Sequence, residues 1–530
     1  MHRTHSSLVN YLVALMLGAT IYAQVPRHRQ NSNLETDWPT YNGDYSGRRF
    51  AALNQINRNN VGDLTVAWAF QINGPADAAL KSTPLVVDGI MYFTVPDHVW
   101  AIDARSGREI WHYVYPQNGG NHIGQRGVAI YKDLLYFETP DAHLVCLTAR
   151  DGRVKWNVEL ADVRRGYWAT MAPLVIHNHV IAGVSGDENN LPGFLESVDP
   201  LTGQMQWKWN SIPKPGDPAA NTWPGMTEPG QYGGGLTWMT GTYDAGLNLL
   251  YWGTANPTPV FQGAPRRGNN LYTCSIVAIN PDTGKLQWYF QVSPHDTHDW
   301  DAVMTPMLVD AELHGSERKL LVQASRNGYF FVLDRVNGEC LLSVPYMPIN
   351  WSAGTDKSGH PMPKASKAPS VEGTLVEPDT EGTTNWMAPS LNPETKLVYV
   401  SARQSYALYF ADDSKEPEGF AGQTPSLWSH STLKALDLGT GKAVWEHALG
   451  PGKDYAGILS TAGGIVFTAD NSGNLIALDA KTGTTLWHMY GGSFVASSPM
   501  TYEIDGRQYI VIGANHVLYA FVLPKALSKQ

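Results

Sequence analysis

Apolar and polar residues alternate in short runs along much of the chain, as in LLYFET (Leu134–Thr139) and LVYVSA (Leu397–Ala402). Alternation with a period of two places one face of a strand inward and the other outward. Between such runs a second pattern recurs: a short apolar strand, then Asp or Asn (Thr148 in the copy ending at Trp156), a turn, Gly, three residues and Trp. The copies are AIDARSGREIW ending at Trp111, CLTARDGRVKW at Trp156, SVDPLTGQMQW at Trp207, AINPDTGKLQW at Trp288, ALDLGTGKAVW at Trp445 and ALDAKTGTTLW at Trp487. VLDRVNGECLL is a decayed seventh copy, with Leu342 in the Trp place. The D-x-x-T-G core supplies the residues of a tight hairpin turn, and its Gly accepts a positive φ.

Such a unit is four strands long. A four-stranded sheet cannot bury both faces alone, so the Trp is expected to pack between neighbouring sheets. The pattern predicts an all-β, eight-bladed β-propeller with tryptophan-docking repeats. Seven blades come from the copies. The eighth joins a strand around Leu64–Phe70 to closing strands around Gln508–Val522, which removes free sheet edges. Residues 211–235, 255–272 and 347–384 are Gly/Pro-rich and are expected to be loops on one face, where a site on a rigid ring belongs.

The N-terminus departs from this pattern. An apolar run from Leu8 to Tyr22 follows His2 and Arg3, which fits a secretory signal peptide better than a membrane span. The expected organisation is a signal peptide over 1–23, an arm over 24–36 and the propeller over 37–530, with no membrane span in the mature chain and a periplasmic location. With 51 glycines and 34 prolines, turns are favoured over long helices. The net charge is −10 and no basic stretch occurs, which argues against nucleic acid as a partner. The three cysteines are too few for a disulfide scaffold, and none lies in a CxxC or CxxCH.

Three further segments stand outside the repeat: HDTHDWD (His295–Asp301), TTNWMAPSLNPET (Thr383–Thr395) and YGGGLTW (Tyr232–Trp238). Together with the repeat they resemble the pyrroloquinoline quinone (PQQ)-dependent alcohol dehydrogenases, the quinoproteins that include methanol, ethanol and glucose dehydrogenases. The resemblance covers about residues 37–525. It implies a planar ortho-quinone with three carboxylates, which needs a stacking surface, cationic clamps and a Lewis acid. It implies Trp238 beneath the ring, with Thr237 as a neighbouring hydroxyl contact. Arg126 would hold a cofactor carboxylate, with Thr139, Ser185 and Asn385 as polar contacts. Arg326 would be the cation beside the quinone oxygens. The metal ligands would be Glu188 (or the adjacent Asp187), Asn256, Asp299 and Asp301, an oxygen set suited to Ca2+ or a lanthanide ion.

Asp299 would be the catalytic base, with Asp301 two residues on and facing the same cation if the segment is a strand. His298 replaces the family's Trp, and Trp300 lies one place beyond Asp299. A competing reading, zinc on His295 and His298, rests on a bare H-x-x-H. Two departures matter. The family's vicinal-cysteine lid corresponds here to Gly120-Asn121, and a frequent Glu before T-P-L-V-V is Lys81, which either pairs with a cofactor carboxylate or upsets the usual contacts. The implied activity is oxidation of an alcohol or sugar hydroxyl to the carbonyl, with electrons passing to an external acceptor such as cytochrome c. The alternative is a noncatalytic propeller scaffold for envelope protein assembly.

Overall fold

The computed structural model describes residues 36–524 apart from 75–78, 117, 187–188, 229 and 412–421. The expected signal peptide lies outside the described residues. The described chain is strands and loops with four short 3-10 turns. No helix among the described residues is long and apolar enough to cross a membrane.

Among the described residues, eight sheets of four or more mainly antiparallel strands follow one another along the sequence. Sheet 1 contains Leu85–Val87, Ile90–Val95, His98–Asp103 and Glu109–Val114. Sheets 2, 3, 4 and 5 repeat this meander, starting at Ala129–Tyr131, Leu174–Ile176, Thr242–Asp244 and Met307–Leu313. Sheet 6 starts at Ser390–Asn392 and sheet 7 at Leu459–Thr461, the latter with Phe50–Ala51 added in parallel. Sheet 8 is composite. Met500–Ile504, Arg507–Ala514 and Val517–Val522 come from the end of the chain, and Thr65–Gln71 adds antiparallel to Val517–Val522. The strand expected around Leu64–Phe70 is therefore present, paired as the alternation required.

The repeat has a plain physical role. Its Asp or Asn accepts backbone N–H groups of the turn, as Asp199 does from Leu201 and Thr202 and Asn280 from Asp282 and Thr283. The repeat glycines hold φ between +66° and +79° (Gly107, Gly152, Gly203, Gly284, Gly338, Gly441, Gly483). Five of the six repeat tryptophans then reach the turn of the next sheet. Trp111 donates to the Ala149 carbonyl, Trp156 to Pro200, Trp207 to Pro281, Trp288 to Arg335 and Trp445 to Ala480. The indole lies where a β-carbon on the next glycine would go, 2.7 Å from such an atom at Gly284. Trp68 in sheet 8 follows the same rule without the motif, donating to Ala104 of sheet 1. The motif is missing there because sheet 8 has no hairpin between its last two strands; they come from opposite ends of the chain. At the decayed copy, Val344 and Phe330 occupy the space above Gly441. Apolar clusters fill each sheet-to-sheet interface, including that between sheets 8 and 1.

The insert over 347–384 differs from a plain loop. It carries a small hairpin, Ser352–Thr355 with Pro361–Pro363, and a strand, Thr374–Val376. That strand pairs with Ala407–Tyr409, because the second strand of sheet 6 runs on for 13 residues, Leu397–Tyr409. Ser, Arg and Gln positions in this extension weaken the apolar alternation that marks a strand.

Candidate active site

The first strand of each sheet begins, and the second ends, at the same end of the sheet. Loops entering the first strand and leaving the second therefore gather side chains from many sheets at one end. Lys81, Arg126, Thr170, Trp238, Asp301, Trp386 and Tyr455 precede first strands; Ser185, Asn256 and Arg326 follow second strands. All of them line one cavity of about 340 Å³, with Ile123, Trp168, Asp299, Glu381 and Asn385. That volume lies within the range of small-molecule sites, ~300–1,000 Å³. Two other cavities, of about 260 and 380 Å³, lack its combination of paired carboxylates and arginines.

The centre of the site is a buried knot of charges. The Arg326 guanidinium donates to Asp299 Oδ2 at 2.9 Å and Asp301 Oδ2 at 3.0 Å, and its Nε donates to the Thr380 carbonyl at 2.7 Å. Burial opposes the charge on Arg326, but Asp299 and Asp301 outweigh it and raise its pKa. Asp301 also accepts from the Trp238 indole at 3.0 Å and the Asn256 backbone N–H at 2.7 Å. Burial raises the Asp301 pKa against the opposing effects of Arg326 and these donors. One carboxylate thus fixes the indole, the amide residue and the arginine relative to one another.

Asp299 and Asp301 both meet the Arg326 guanidinium, and the segment that carries them is not the strand the two-residue spacing assumed. Residues 295–301 form no strand. Asp296 Oδ2 accepts the backbone N–H groups of His298, Asp299 and Trp300, which folds the chain into a tight turn. Asp299 sits there at φ +68°, a left-handed conformation uncommon for a non-glycine residue. The buried Trp300 pins the turn by donating to the Asp379 carbonyl at 3.0 Å, and His298 stacks on it at 4.3 Å. His298 Nε2 meets the Lys367 carbonyl and His295 Nδ1 the Gly268 carbonyl, so the two imidazoles do not converge as zinc ligands. Burial lowers the His298 pKa to about 4, keeping it neutral.

Arg126 lies over two indoles, 4.9 Å from the Trp238 ring centre and 5.6 Å from that of Trp386, and donates to Thr170 Oγ1 at 2.5 Å. Ser185 is in the wall, and Asn385 is there with its amide on Glu381 at 3.2 Å. Two expected contacts are not in the wall. Thr139 closes its own turn, donating to Asp141 and accepting from the His143 N–H; Thr237 bonds Phe194 and Val184 between strands. Glu188 and Asp187 lie outside the described residues. Trp168, Trp386, Glu381 and Tyr455 are wall residues that the sequence reading passed over. Trp386 carried the signal used for Trp238, a Trp without the repeat prefix, and Tyr455 shares the position just before a first strand.

The donor set bears on what the cavity takes. Asp299, Asp301 and Asn256 present hard oxygen ligands, the chemistry of Ca2+ or a lanthanide. Among the described residues no cluster of three or more His, Cys, Asp or Glu is arranged to hold a metal ion. Indoles and an arginine suit a flat anion.

A family model described as the PQQ glucose/ethanol/alcohol dehydrogenase β-propeller domain matches residues 38–363 and 417–510. The chain is 36% identical to the quinohemoprotein alcohol dehydrogenase of Comamonas testosteroni over 91% of its own length and 73% of that protein. It is 34% identical to the quinoprotein alcohol dehydrogenase PedH of Pseudomonas putida, over 88% of this chain and 84% of that one. The solved Comamonas testosteroni structure superposes with a TM-score of 0.87 at 33% identity, covering 94% of this chain and 82% of that one. A europium-containing methanol dehydrogenase superposes at 0.84 and 28% identity, covering 92% and 98%. With a family model spanning most of its length and a relative of this identity and coverage, the chain belongs to the glucose/ethanol/alcohol dehydrogenase family of PQQ β-propeller proteins.

Proposed function

We propose that this chain is a PQQ-dependent dehydrogenase that oxidises an alcohol, or a sugar hydroxyl, to the carbonyl. Its eight sheets are the blades of one closed propeller over 37–530, exported to the periplasm by the segment 1–23. The observation that carries the reading is the knot in which Arg326 joins Asp299 to Asp301 while Asp301 holds Trp238 and Asn256.

Asn256, Asp299 and Asp301, with Glu188, would hold a Ca2+ or lanthanide ion; Trp238 would stack on PQQ and Arg126 would clamp a carboxylate. When bound, PQQ would supply a hydride acceptor for the alcohol carbon and the cation a Lewis acid beside it. Asp299 takes the hydroxyl proton onto its carboxylate. Arg326 aims that carboxylate and supplies fixed positive charge beside it. Trp168, Trp238 and Trp386 supply the flat apolar part of the wall. Electrons leave to an external one-electron acceptor such as cytochrome c, a carrier that the name of a relative, the 1-butanol dehydrogenase (cytochrome c) of Thauera butanivorans, also carries.

The test is absorbance titration with PQQ plus Ca2+ or La3+, followed by dye-linked oxidation of a panel of alcohols and sugars. Stoichiometric uptake with turnover supports the reading. No uptake and no turnover with either cation favours the noncatalytic scaffold.

A further inference from the structure

Lys81 lies in the cavity wall just ahead of sheet 1, and neither the charge knot nor the stacking surface uses it. Its ammonium donates to the Ile123 carbonyl at 2.5 Å and sits 5.7 Å from the centre of the Trp386 ring. Arg126 lies 5.6 Å from the same ring. Two cations therefore border one indole at the edge of one cavity. The stem of Lys81 packs against Gly124, where a β-carbon would come 2.5 Å from its Cδ.

The segment it grips is tied down on every side. The Asn121 N–H donates to the Pro140 carbonyl, the Ile123 N–H donates to Asn121 Oδ1, and His122 meets Asp97 at 2.7 Å. This turn presents the Ile123 side chain, 57% exposed, as part of the wall. The charged groups that bear on Lys81 are Arg126, which repels it, and Glu381, which attracts it; Glu381 is itself engaged by Lys453 at 2.7 Å. Burial first, then Arg126, lowers the Lys81 pKa to about 8. Each of these cations disfavours the charge on the other, and an anionic group reaching both favours both charges.

We propose that Lys81 is a second clamp for the anionic cofactor, sharing a carboxylate with Arg126, and that its grip on the Ile123 carbonyl holds the 120–124 turn as the apolar wall beside the ring. The inference rests on the reading of the cavity as a PQQ site. Clamping requires the protonated amine, and the bound carboxylate raises its pKa. Affinity is therefore full below the pKa of the cofactor-free amine and falls as pH rises through it.

The experiment is equilibrium binding of PQQ, with Ca2+ present, to cofactor-free protein at pH 7 and pH 9, read by quenching of tryptophan fluorescence. The protonated fraction of a group titrating at about 8 falls about tenfold over that interval, so wild-type affinity falls about tenfold. Lys81→Met binds at least ~10-fold more weakly at pH 7, with little change to pH 9. Lys81→Arg stays within ~3-fold of wild type at pH 7 and is also flat, because a guanidinium keeps its proton. If Lys81→Met does not fold, the flat profile of Lys81→Arg carries the test. Wild-type protein that binds no PQQ overturns both this inference and the function it rests on. Wild-type binding with variants that keep its affinity and its pH dependence overturns the clamp alone.

Discussion

Replacing Asp301 with Asn tests the charge knot with almost no change in shape. Three donors meet the Asp301 carboxylate: the Asn256 N–H on Oδ1, and the Trp238 indole and Arg326 on Oδ2. An amide has one oxygen. Turned to serve Trp238 and Arg326, it sets its NH2 against the Asn256 N–H; turned the other way, it sets NH2 against two donors. The first orientation is favoured and leaves one buried N–H without an acceptor, a cost of about 1–3 kcal/mol. The two remaining bonds lose their ionic character, roughly 1 kcal/mol each. Removal of a buried negative charge offsets part of this, since burial raises the Asp301 pKa. The net expectation is a loss of about 2–3 kcal/mol in unfolding free energy, measured by urea titration of cofactor-free protein at pH 7. A cycle with Arg326→Met isolates the pair, and its coupling should be about 1–2 kcal/mol for a buried contact of 3.0 Å. A loss below about 0.5 kcal/mol, with no coupling to Arg326, would mean that the knot does not exist in solution.

Two further expectations follow from the packing. Gly284→Ala places a methyl group 2.7 Å from Trp207 at φ +66° and should cost about 2–4 kcal/mol in thermal or urea unfolding. Gly315→Ala, at φ +80° with nothing within 4 Å, is the control for backbone strain alone; equal losses would remove Trp207 docking from the account. Burial raises the Asp454 pKa to about 7, despite the hydroxyl of Ser401 on its carboxylate. The folded state therefore holds a proton that the unfolded state releases above about pH 4. The stability this contributes is complete below that pH and is lost as pH rises to about 7. Asp454→Asn should flatten the decline in stability over that window; an unchanged slope assigns the decline to another group.

The fold was legible because one motif does three jobs at once. Its Asp caps the turn, its Gly turns the chain and clears space, and its Trp fills the space left by the next Gly, so each copy constrains its neighbour. Even the composite sheet could be read, since Thr65–Gln71 and Val517–Val522 each alternate and neither has a partner nearby in sequence. The extension of sheet 6 could not, because its polar positions pair with an insert that carries no repeat. At the site, the long-range meeting of Trp238, Asn256, Asp299 and Arg326 came from resemblance. The details came only from three dimensions. Asp299 reaches Arg326 through a left-handed turn capped by Asp296, which no period-two argument anticipates. Thr139 and Thr237 match motif positions, yet local turns and strand contacts absorb their hydroxyls. Lys81 reads as one lysine before a strand until the fold sets it beside Trp386.

Asp299 as the group that takes the proton is tested most directly by turnover of Asp299→Asn protein after its PQQ content has been titrated. The expected result is one PQQ per chain with kcat reduced by about 10²–10⁴, the usual contribution of a general base. A variant that holds PQQ and turns over within a few-fold of wild type would contradict it.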